Sequence, residues 1–444
     1  MNTVKIIQTA KHTNDRLTDK GNFNLQKEKS EGAVLSIDKD RSYQKVIGFG
    51  GAFTEAAAYT FYRMEPAKRE EILKKYFDPH EGIGYSIGRV HIHSCDFALG
   101  NYTYVQENDK ELKTFDVSHE EQWTIPLLKA AAKTRNGDIA LLASPWSPPA
   151  WMKTNKDMNH GGQLLPEYRE AWANYYVRYI KEMRSRGLDI RAITVQNEPA
   201  AVQTWDSCIY SAEEEGSFVR DYLGPILQKE GLGDIKIYIW DHNRDIIVER
   251  ATGTLSDPAT AKYVYGIANH WYVSEAFENL SRVHELYPDK HILFSEGCQE
   301  GGVHLGSWDT GERYGRNIIG DFNNWQEGWL DWNLILDEQG GPNHVGNYCD
   351  APIIADTKTQ DIHYNSSYYY IGQFSKFVKP DAVRVHVAAD AGTELQHVAF
   401  RNTDGSVVLI VMNETDNEQK FNARNGNEYL GYSLPARSIA TLIF

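Results

Sequence analysis

The sequence predicts an α/β protein, a (β/α)8 TIM barrel carrying a small side β-sandwich built from the C-terminal tail and an N-terminal strand. Three features of the chain predict it. Its 444 residues suit one barrel plus a small accessory domain. Its middle alternates short apolar runs with amphipathic helical stretches, the texture of βαβ units on a parallel sheet. After about residue 376 the texture changes to short apolar segments separated by turn clusters, which read as antiparallel strands.

The barrel strands are expected at Val46–Phe53, Tyr85–His91, Ile139–Ser144, Ala192–Gln196, Ile235–Trp240, Val264–His270, Ile292–Ser295 and Trp329–Leu336. Between them, Pro66–Phe77 has proline at its start and apolar residues at helical spacing. Glu167–Arg186 carries Trp172, Tyr175, Tyr176, Tyr179, Ile180 and Met183, a stripe at i, i+3, i+4 and i+7 that reads as a barrel-facing helix surface. Ala212–Glu230 and Ser274–Tyr287 look similar. In the tail, Ala382–Ala388, His397–Asn402, Ser406–Asn413 and Ser438–Phe444 are the strand candidates, joined by Gly32–Asp38 near the N-terminus. The expected organisation is an N-terminal segment 1–44 that joins the sandwich, a catalytic barrel 45–375 and a C-terminal sandwich 376–444.

Composition narrows the partners. Apolar content of 41% and charged content of 24% are those of a folded soluble protein. A net charge of −15 repels polyphosphate and anionic lipid, so neither nucleic acid nor a membrane surface is an expected partner. No apolar run reaches membrane-spanning length. The N-terminus, MNTVKIIQTAKHTNDRL, lacks the apolar core of a signal peptide, so a cytoplasmic enzyme is the default expectation. Cys95, Cys208, Cys298 and Cys349 are scattered without a CxxC pair and read as core thiols, with no zinc site and no disulfide framework. The 11 Trp and 26 Tyr fill cores for the most part, and the excess also suits a site that stacks on the apolar faces of sugar rings.

Several barrel runs end in polar or aromatic residues: HIHSCD after the second, SPWSPP after the third, QNEP after the fourth, WDHN after the fifth, HWY after the sixth and SEG after the seventh. In a (β/α)8 barrel the active site lies at the C-terminal ends of the strands. Glu198 closes the fourth strand and Glu296 the seventh, and these strands face each other across the barrel mouth. A charged residue ending an apolar strand is costly to bury without a purpose. Two opposed carboxyl groups are what retaining glycoside hydrolysis needs, one to protonate the leaving oxygen and one to attack the anomeric carbon. This assigns Glu198 as general acid/base and Glu296 as nucleophile, with Asn197 placed to bind a sugar 2-hydroxyl. The acid must hold its proton while the nucleophile is charged, so repulsion from Glu296 is expected to raise Glu198, giving a bell-shaped pH profile. A structural ion pair with Arg89 is the alternative role for a buried glutamate.

Longer motifs sharpen this. GFGGAFTEA (48–56), RVHIHSCDF (89–97), SPWSPPAWMKTN (144–155), NHWY (269–272), DWNLILDEQGGPN (331–343) and FSKFVKP (374–380) together resemble glycoside hydrolase family 30, the family of glucosylceramidases and β-1,6-glucanases. The resemblance runs from about residue 45 to 380. It implies a barrel with a side β-sandwich, a β-glucoside or oligosaccharide substrate, and no metal or organic cofactor. It also implies that Asp96, Trp146, Asn197 and Trp332 bind the terminal sugar, that Arg89 supports the nucleophile, and that His270 and Tyr272 line the same wall. The stretch AAVQTWDSCIYSAEEE after QNEP departs from the animal glucosylceramidases and looks closer to bacterial members. Trp205 within it could stack on a sugar on the leaving-group side, which puts ceramide in doubt and favours a β-glucoside or β-1,6-gluco-oligosaccharide.

Other readings stay open at this level. A β-xylosidase or β-fucosidase would share the mechanism. A sugar-binding barrel without catalysis would keep the tryptophans but need not keep two opposed glutamates. A metal-dependent hydrolase would use strand-end histidines, and His91 and His93 form an HIH pattern on the second strand.

Overall fold

The computed structural model describes residues 3–444. Eight parallel strands close a barrel: Gly48–Ala52, Ile87–Ile92, Ala140–Pro145, Ile190–Thr194, Lys236–Asn243, Val264–His270, His291–Glu296 and Gln326–Asn333. The first strand pairs with the eighth through Gly48–Gly328 and its successors, which completes the ring. These strands are buried on both faces, which is why they read as continuous apolar runs without alternation. Ile87, Leu142, Ala192, Tyr238, Ala268, Leu293 and Leu330 fill the interior. The glycines of the first strand answer a steric demand. A Cβ on Gly50 would lie 1.8 Å from the Ile87 carbonyl oxygen, so only glycine allows that approach.

The helix at Pro66–Phe77 keeps the expected bounds, with proline in its first turn, where no N–H is needed. The aromatic stripe of Trp172, Tyr175, Tyr176, Tyr179, Ile180 and Met183 is buried on the helix Arg169–Ser185, after a 3-10 turn at Pro166–Tyr168. Two helices differ from expectation. Ala212–Glu230 divides into Ala212–Phe218, a π segment Val219–Leu223 and Gly224–Lys229. Pro225 lacks the N–H that would continue the ladder there. Ser274–Tyr287 shortens to Glu278–Leu286. The eighth strand ends at Asn333, and Ile335–Leu336 leaves it for a separate three-stranded sheet.

The side domain is a nine-stranded sheet in which three strands come from the N-terminal segment, Thr3–Ala10, Thr18–Asn24 and Ala33–Lys45. Six come from the tail: Val383–Ala389, Gln396–Arg401, Val407–Asn413, Gln419–Asn425, Glu428–Leu434 and Ser438–Ile443. Residues from strands far apart in this sheet, Val4 and Ile6 with Phe421 and Leu434, share one apolar core, so the sheet wraps over itself as a sandwich. Four of these strands have no counterpart in the sequence reading: Thr3–Ala10, Thr18–Asn24, Gln419–Asn425 and Glu428–Leu434. Thr18–Asn24 is a largely exposed edge strand, and edge strands lack the apolar signature that marks a buried one.

Val407–Asn413 is buried along its whole length because it serves two cores. Val407, Leu409 and Val411 face the sandwich interior, while Val408, Ile410 and Met412 pack with the barrel helices. Phe400 on the neighbouring strand meets Phe322 edge-on at 5.3 Å. The sandwich is thus an apolar buttress on the barrel. Replacing Ile410 with Ala should cost about 2–5 kcal/mol by cavity formation, read as a lowered midpoint in thermal or urea unfolding. A loss below about 0.5 kcal/mol, the range of a surface substitution, would mean that the junction is loosely packed.

Candidate active site

At the C-terminal end of the barrel a pocket is lined by Asp96, Trp146, Asn197, Glu198, Trp205, Tyr272, Glu296 and Trp332, together with Gln203, His242, Asn243, Cys298, Glu300, Asn347 and Cys349. Eight of the ten residues singled out from sequence therefore face one cavity. The other two, Arg89 and His270, lie behind its wall with no exposed surface. His270, expected on the sugar-binding wall, instead holds carboxyl groups from behind it, whereas Arg89 pairs with Glu296, the group beside which it was expected.

Arg89 sits at the centre. Its Nη1 donates to Glu296 Oε2 at 2.5 Å, its Nη2 to Asp241 Oδ2 at 2.7 Å and to Asn197 Oδ1 at 2.9 Å, and its Nε to Ser144 Oγ at 3.1 Å. The guanidinium also lies under the Trp146 and Trp332 rings at 4.8 and 5.6 Å. A fully buried cation needs such partners. Because Asn197 Oδ1 is occupied by Arg89, its amide nitrogen is left to donate into the pocket. Tyr272 adds a second donor to the other oxygen of Glu296, at 2.9 Å. The ion pair with Arg89 foreseen as an alternative role is present, and Glu296 still keeps a face on the pocket.

A second chain of hydrogen bonds reaches Glu198. Asp241 accepts from Arg89, from Ser295 Oγ at 2.5 Å and from His270 Nε2 at 2.9 Å. His270 Nδ1 lies 3.1 Å from Glu198 Oε1. Burial alone would lower the His270 pKa, but the carboxylates of Glu296, Asp241 and Glu198 reverse that and raise it to about 9. His270 is therefore an imidazolium donating from both nitrogens. One oxygen of Glu198, one of Glu296 and a ring nitrogen of His270 lie within 4.8 Å of one another. With both its nitrogens protonated, His270 has no lone pair for a metal ion.

The two carboxyl groups are shifted in the opposite sense from the sequence expectation. Burial raises Glu296 despite the pull of His270 and Arg89. Glu198 is also buried, but His242, 3.7 Å away, and His270 outweigh that and lower it. The burial of Asp241 is overcome by Arg89, His270 and Ser295, which hold it well below the usual range.

The sugar wall is built as expected in part. Trp146 and Trp332 stack on each other at 5.3 Å and 22°. Asp96 accepts from Asn343 and Asn347 at 3.1 and 3.0 Å on one oxygen, leaving the other for hydroxyl groups. Burial, with help from the Glu296 charge, raises Asp96 to about 7. The HIH pattern is structural. His91 takes the Glu55 N–H on Nε2 and donates from Nδ1 to the His93 carbonyl, while His93 binds Tyr175 Oη and the Ser147 carbonyl. Neither ring has a nitrogen left for a metal.

Backbone strain marks the same strand ends. Glu198, Trp240 and Asp241 have φ of 47°, 72° and 49°, each costing roughly 1–3 kcal/mol for a non-glycine residue. The turn at Trp240–Asp241 aims Asp241 at Arg89 and His242 at Glu198. Sequence reasoning passed over Asp241, His242, Asn243, Gln203 and Asn347. WDHN was visible as a polar strand end, but nothing local shows which of its residues meets a buried arginine.

A model of the glycosyl hydrolase family 30 TIM-barrel domain matches residues 46–378, and a model of the family 30 beta sandwich domain matches residues 381–442. Lysosomal acid glucosylceramidase of Mus musculus is 37% identical over 405 residues, which span 87% of this chain and 78% of that protein. Endo-1,6-beta-D-glucanase of Neurospora crassa is 29% identical, spanning 86% of this chain and 82% of that protein. The crystal structure of SrfJ from Salmonella typhimurium superposes with a TM-score of 0.95 at 37% identity, covering 100% of this chain and 99% of that one. The endo-beta1,6-glucanase BT3312 superposes with a TM-score of 0.90 at 30% identity, again covering 100% and 99%.

His270 is raised from its ordinary 6.5 to about 9, so its contribution to stability is complete below pH 6.5 and is lost as pH rises through about 9. Asp241→Asn removes one of the groups that raise it. The variant should lose roughly 3–5 kcal/mol at neutral pH, because Arg89 is left under-compensated. Its stability should also fall less steeply between those two pH values. Urea unfolding across the range reads both, and an unchanged slope would show that Asp241 does not hold the His270 proton.

Proposed function

The chain belongs to glycosyl hydrolase family 30, and from that premise we propose that it hydrolyses β-glucosides with retention of configuration, Glu296 being the nucleophile and Glu198 the acid/base. The observation that carries this is the approach of one carboxyl oxygen of Glu198 and one of Glu296 to within 4.8 Å. Retaining enzymes hold this pair about 5–5.5 Å apart, whereas seating a water between them for inversion takes about 6.5–9.5 Å.

The chemistry follows from the hydrogen bonds. Arg89 and Tyr272 each hold one oxygen of Glu296 and so favour its ionised form, with the carboxylate aimed at the anomeric carbon. A glycosidic oxygen offers only lone pairs. Lodged against Glu198, it is satisfied only when Glu198 brings a proton. Attack by Glu296 then breaks the glycosidic bond as Glu198 protonates the departing oxygen, leaving a covalent glycosyl-enzyme. In the second half, ionised Glu198 takes a proton from water, which attacks the same carbon and frees Glu296. Asn197 donates to the 2-hydroxyl, Asp96 accepts hydroxyl protons, and Trp146 and Trp332 pack on the ring face. No step calls for a metal or cofactor.

A glucose unit is supported by the names of the relatives, a glucosylceramidase and endo-1,6-glucanases. For the leaving group we favour a further sugar, because the wall beside Glu198 presents Gln203, His242 and Asn243 with the single indole of Trp205. One observation favours a lipid-linked glucoside instead. Leu99, Val202, Val273, Leu305 and Tyr348 are 40–66% exposed and all lie on segments that follow the C-terminal ends of barrel strands. Among the described residues no helix is long and apolar enough to cross a membrane. The proposed place of action remains the cytoplasm.

A panel of aryl β-glycosides with gentiobiose, laminaribiose and micellar glucosylceramide tests the substrate. Gentiobiose should be cut fastest among the natural compounds. Faster cleavage of glucosylceramide would select the lipid-linked reading, and faster aryl β-xyloside or β-fucoside cleavage would overturn glucose. Glu198→Gln should lower kcat by about 10²–10⁴-fold on substrates with poor leaving groups. Azide should rescue it on an activated aryl glucoside, giving the β-glucosyl azide. An α-azide, or an α-anomer as the first product of the unmodified enzyme, would rule out double displacement.

A further inference from the structure

Two cysteines stand in the pocket wall beside the nucleophile. Cys298 follows Glu296 by two positions, and Cys349 lies on the segment that carries Asn347. They are 1% and 4% exposed, both line the cavity, and neither is in a disulfide. The two segments run side by side. Cys349 bridges antiparallel to Glu300, the Asp350 N–H donates to the Gln299 carbonyl at 2.8 Å, and the Gly302 N–H donates to the Tyr348 carbonyl at 2.9 Å. This register places Cys298 diagonally across from Cys349 on the same face. Cys298 Sγ is also 3.6 Å from Tyr272 Oη, the group that holds Glu296.

We propose that Cys298 and Cys349 form a binding site for a soft, thiophilic metal ion, and that an ion bound there shuts the active site. Register decides between the two things a thiol pair can do. Diagonal neighbours across antiparallel strands have Cα atoms about 7–8 Å apart. A disulfide usually needs about 4.4–6.8 Å and draws the sulfurs to about 2.05 Å. A tetrahedral ion with metal–sulfur bonds of about 2.3 Å holds two sulfurs nearly 3.8 Å apart, which asks far less of the backbone. The nearby Cys349 thiol together with burial raises Cys298 well above its ordinary pKa. Cys298 is therefore protonated when free. A divalent ion binds by displacing both thiol protons to solvent, since a coordinating thiol is deprotonated outright. Zinc, cadmium and mercuric ions belong to this chemical class, in keeping with the preference of thiolates for soft metals.

The consequence for catalysis, which rests on the glycosidase reading, has two parts. Coordination withdraws Cys298 from Tyr272 and so loosens the second hydrogen bond to Glu296. The ion's charge also lies next to that carboxylate and weakens it as a nucleophile. This is an inhibitory site, separate from the cluster of Glu198, His270 and Glu296.

Cadmium ion is the probe. Titrating the intact protein without substrate should produce the near-ultraviolet thiolate-to-cadmium absorption at one ion per chain, with release of two protons. Cys349→Ser and Cys298→Ser should each lose the band, with cadmium affinity weakened by roughly 100-fold or more, because removing a direct ligand costs at least as much as disturbing an outer partner. Cys208→Ser and Glu296→Gln should both keep it. Glucoside hydrolysis by the unmodified protein should fall with the same cadmium dependence and return with EDTA. If either serine variant fails to fold by circular dichroism, the alanine variant takes its place. The proposal is overturned if the band survives loss of Cys349, or if it vanishes with Glu296→Gln. It is also overturned if mild oxidation joins the two sulfurs, shown by a peptide lighter by two hydrogens. The absorption is read without turnover, so its failure is distinct from failure of the glycosidase reading.

Discussion

The guanidinium of Arg89 is the interaction on which the site depends. It rises from the second barrel strand and binds groups from the third, fourth, fifth and seventh: Ser144, Asn197, Asp241 and Glu296. Removing a full charge from water is costly unless nearly every N–H finds a partner. The barrel supplies these partners because closure brings five strand ends to one point. The cost is offset by position: one planar cation sets the direction of Glu296, fixes the amide of Asn197 and anchors Asp241. Trp146 and Trp332 cover it, so the aromatic wall of the pocket is also the lid over the charge.

From that centre, electrostatics divides two chemically identical carboxyl groups. Glu296 is held by Arg89 and Tyr272, Glu198 by His270 and His242. Asp241 joins the two halves, since it accepts from both Arg89 and His270. A site of this kind is set by the surroundings of its carboxyl groups as much as by their identity. The sandwich takes no part in this chemistry. It buries an apolar face of the barrel helices, and its strand Val407–Asn413 is apolar on both sides for that reason.

Much of this was legible in the chain. Strand ends that carry polar motifs are local features, and a doubly buried strand announces itself as an apolar run. Glu198 and Glu296 could be chosen because each closes such a run. What failed to show had physical causes. Thr18–Asn24 is an exposed edge strand, and its composition resembles a loop. Asp241 and His242 lie in a strained turn whose direction no local pattern encodes. His270 was expected on the wall of the site and lies behind it, because burial behind a wall is a property of the packed barrel.

The amino-acid sequence by itself determined the barrel, the order of its strands and the two glutamates at opposed strand ends, since periodicity and motif position are written along one dimension. Only the tertiary structure decided which carboxyl group meets which cation, and that Cys298 lies beside Cys349. Those outcomes depend on distances between residues far apart in the chain, and in a buried site electrostatic energies change by kilocalories over a few ångströms.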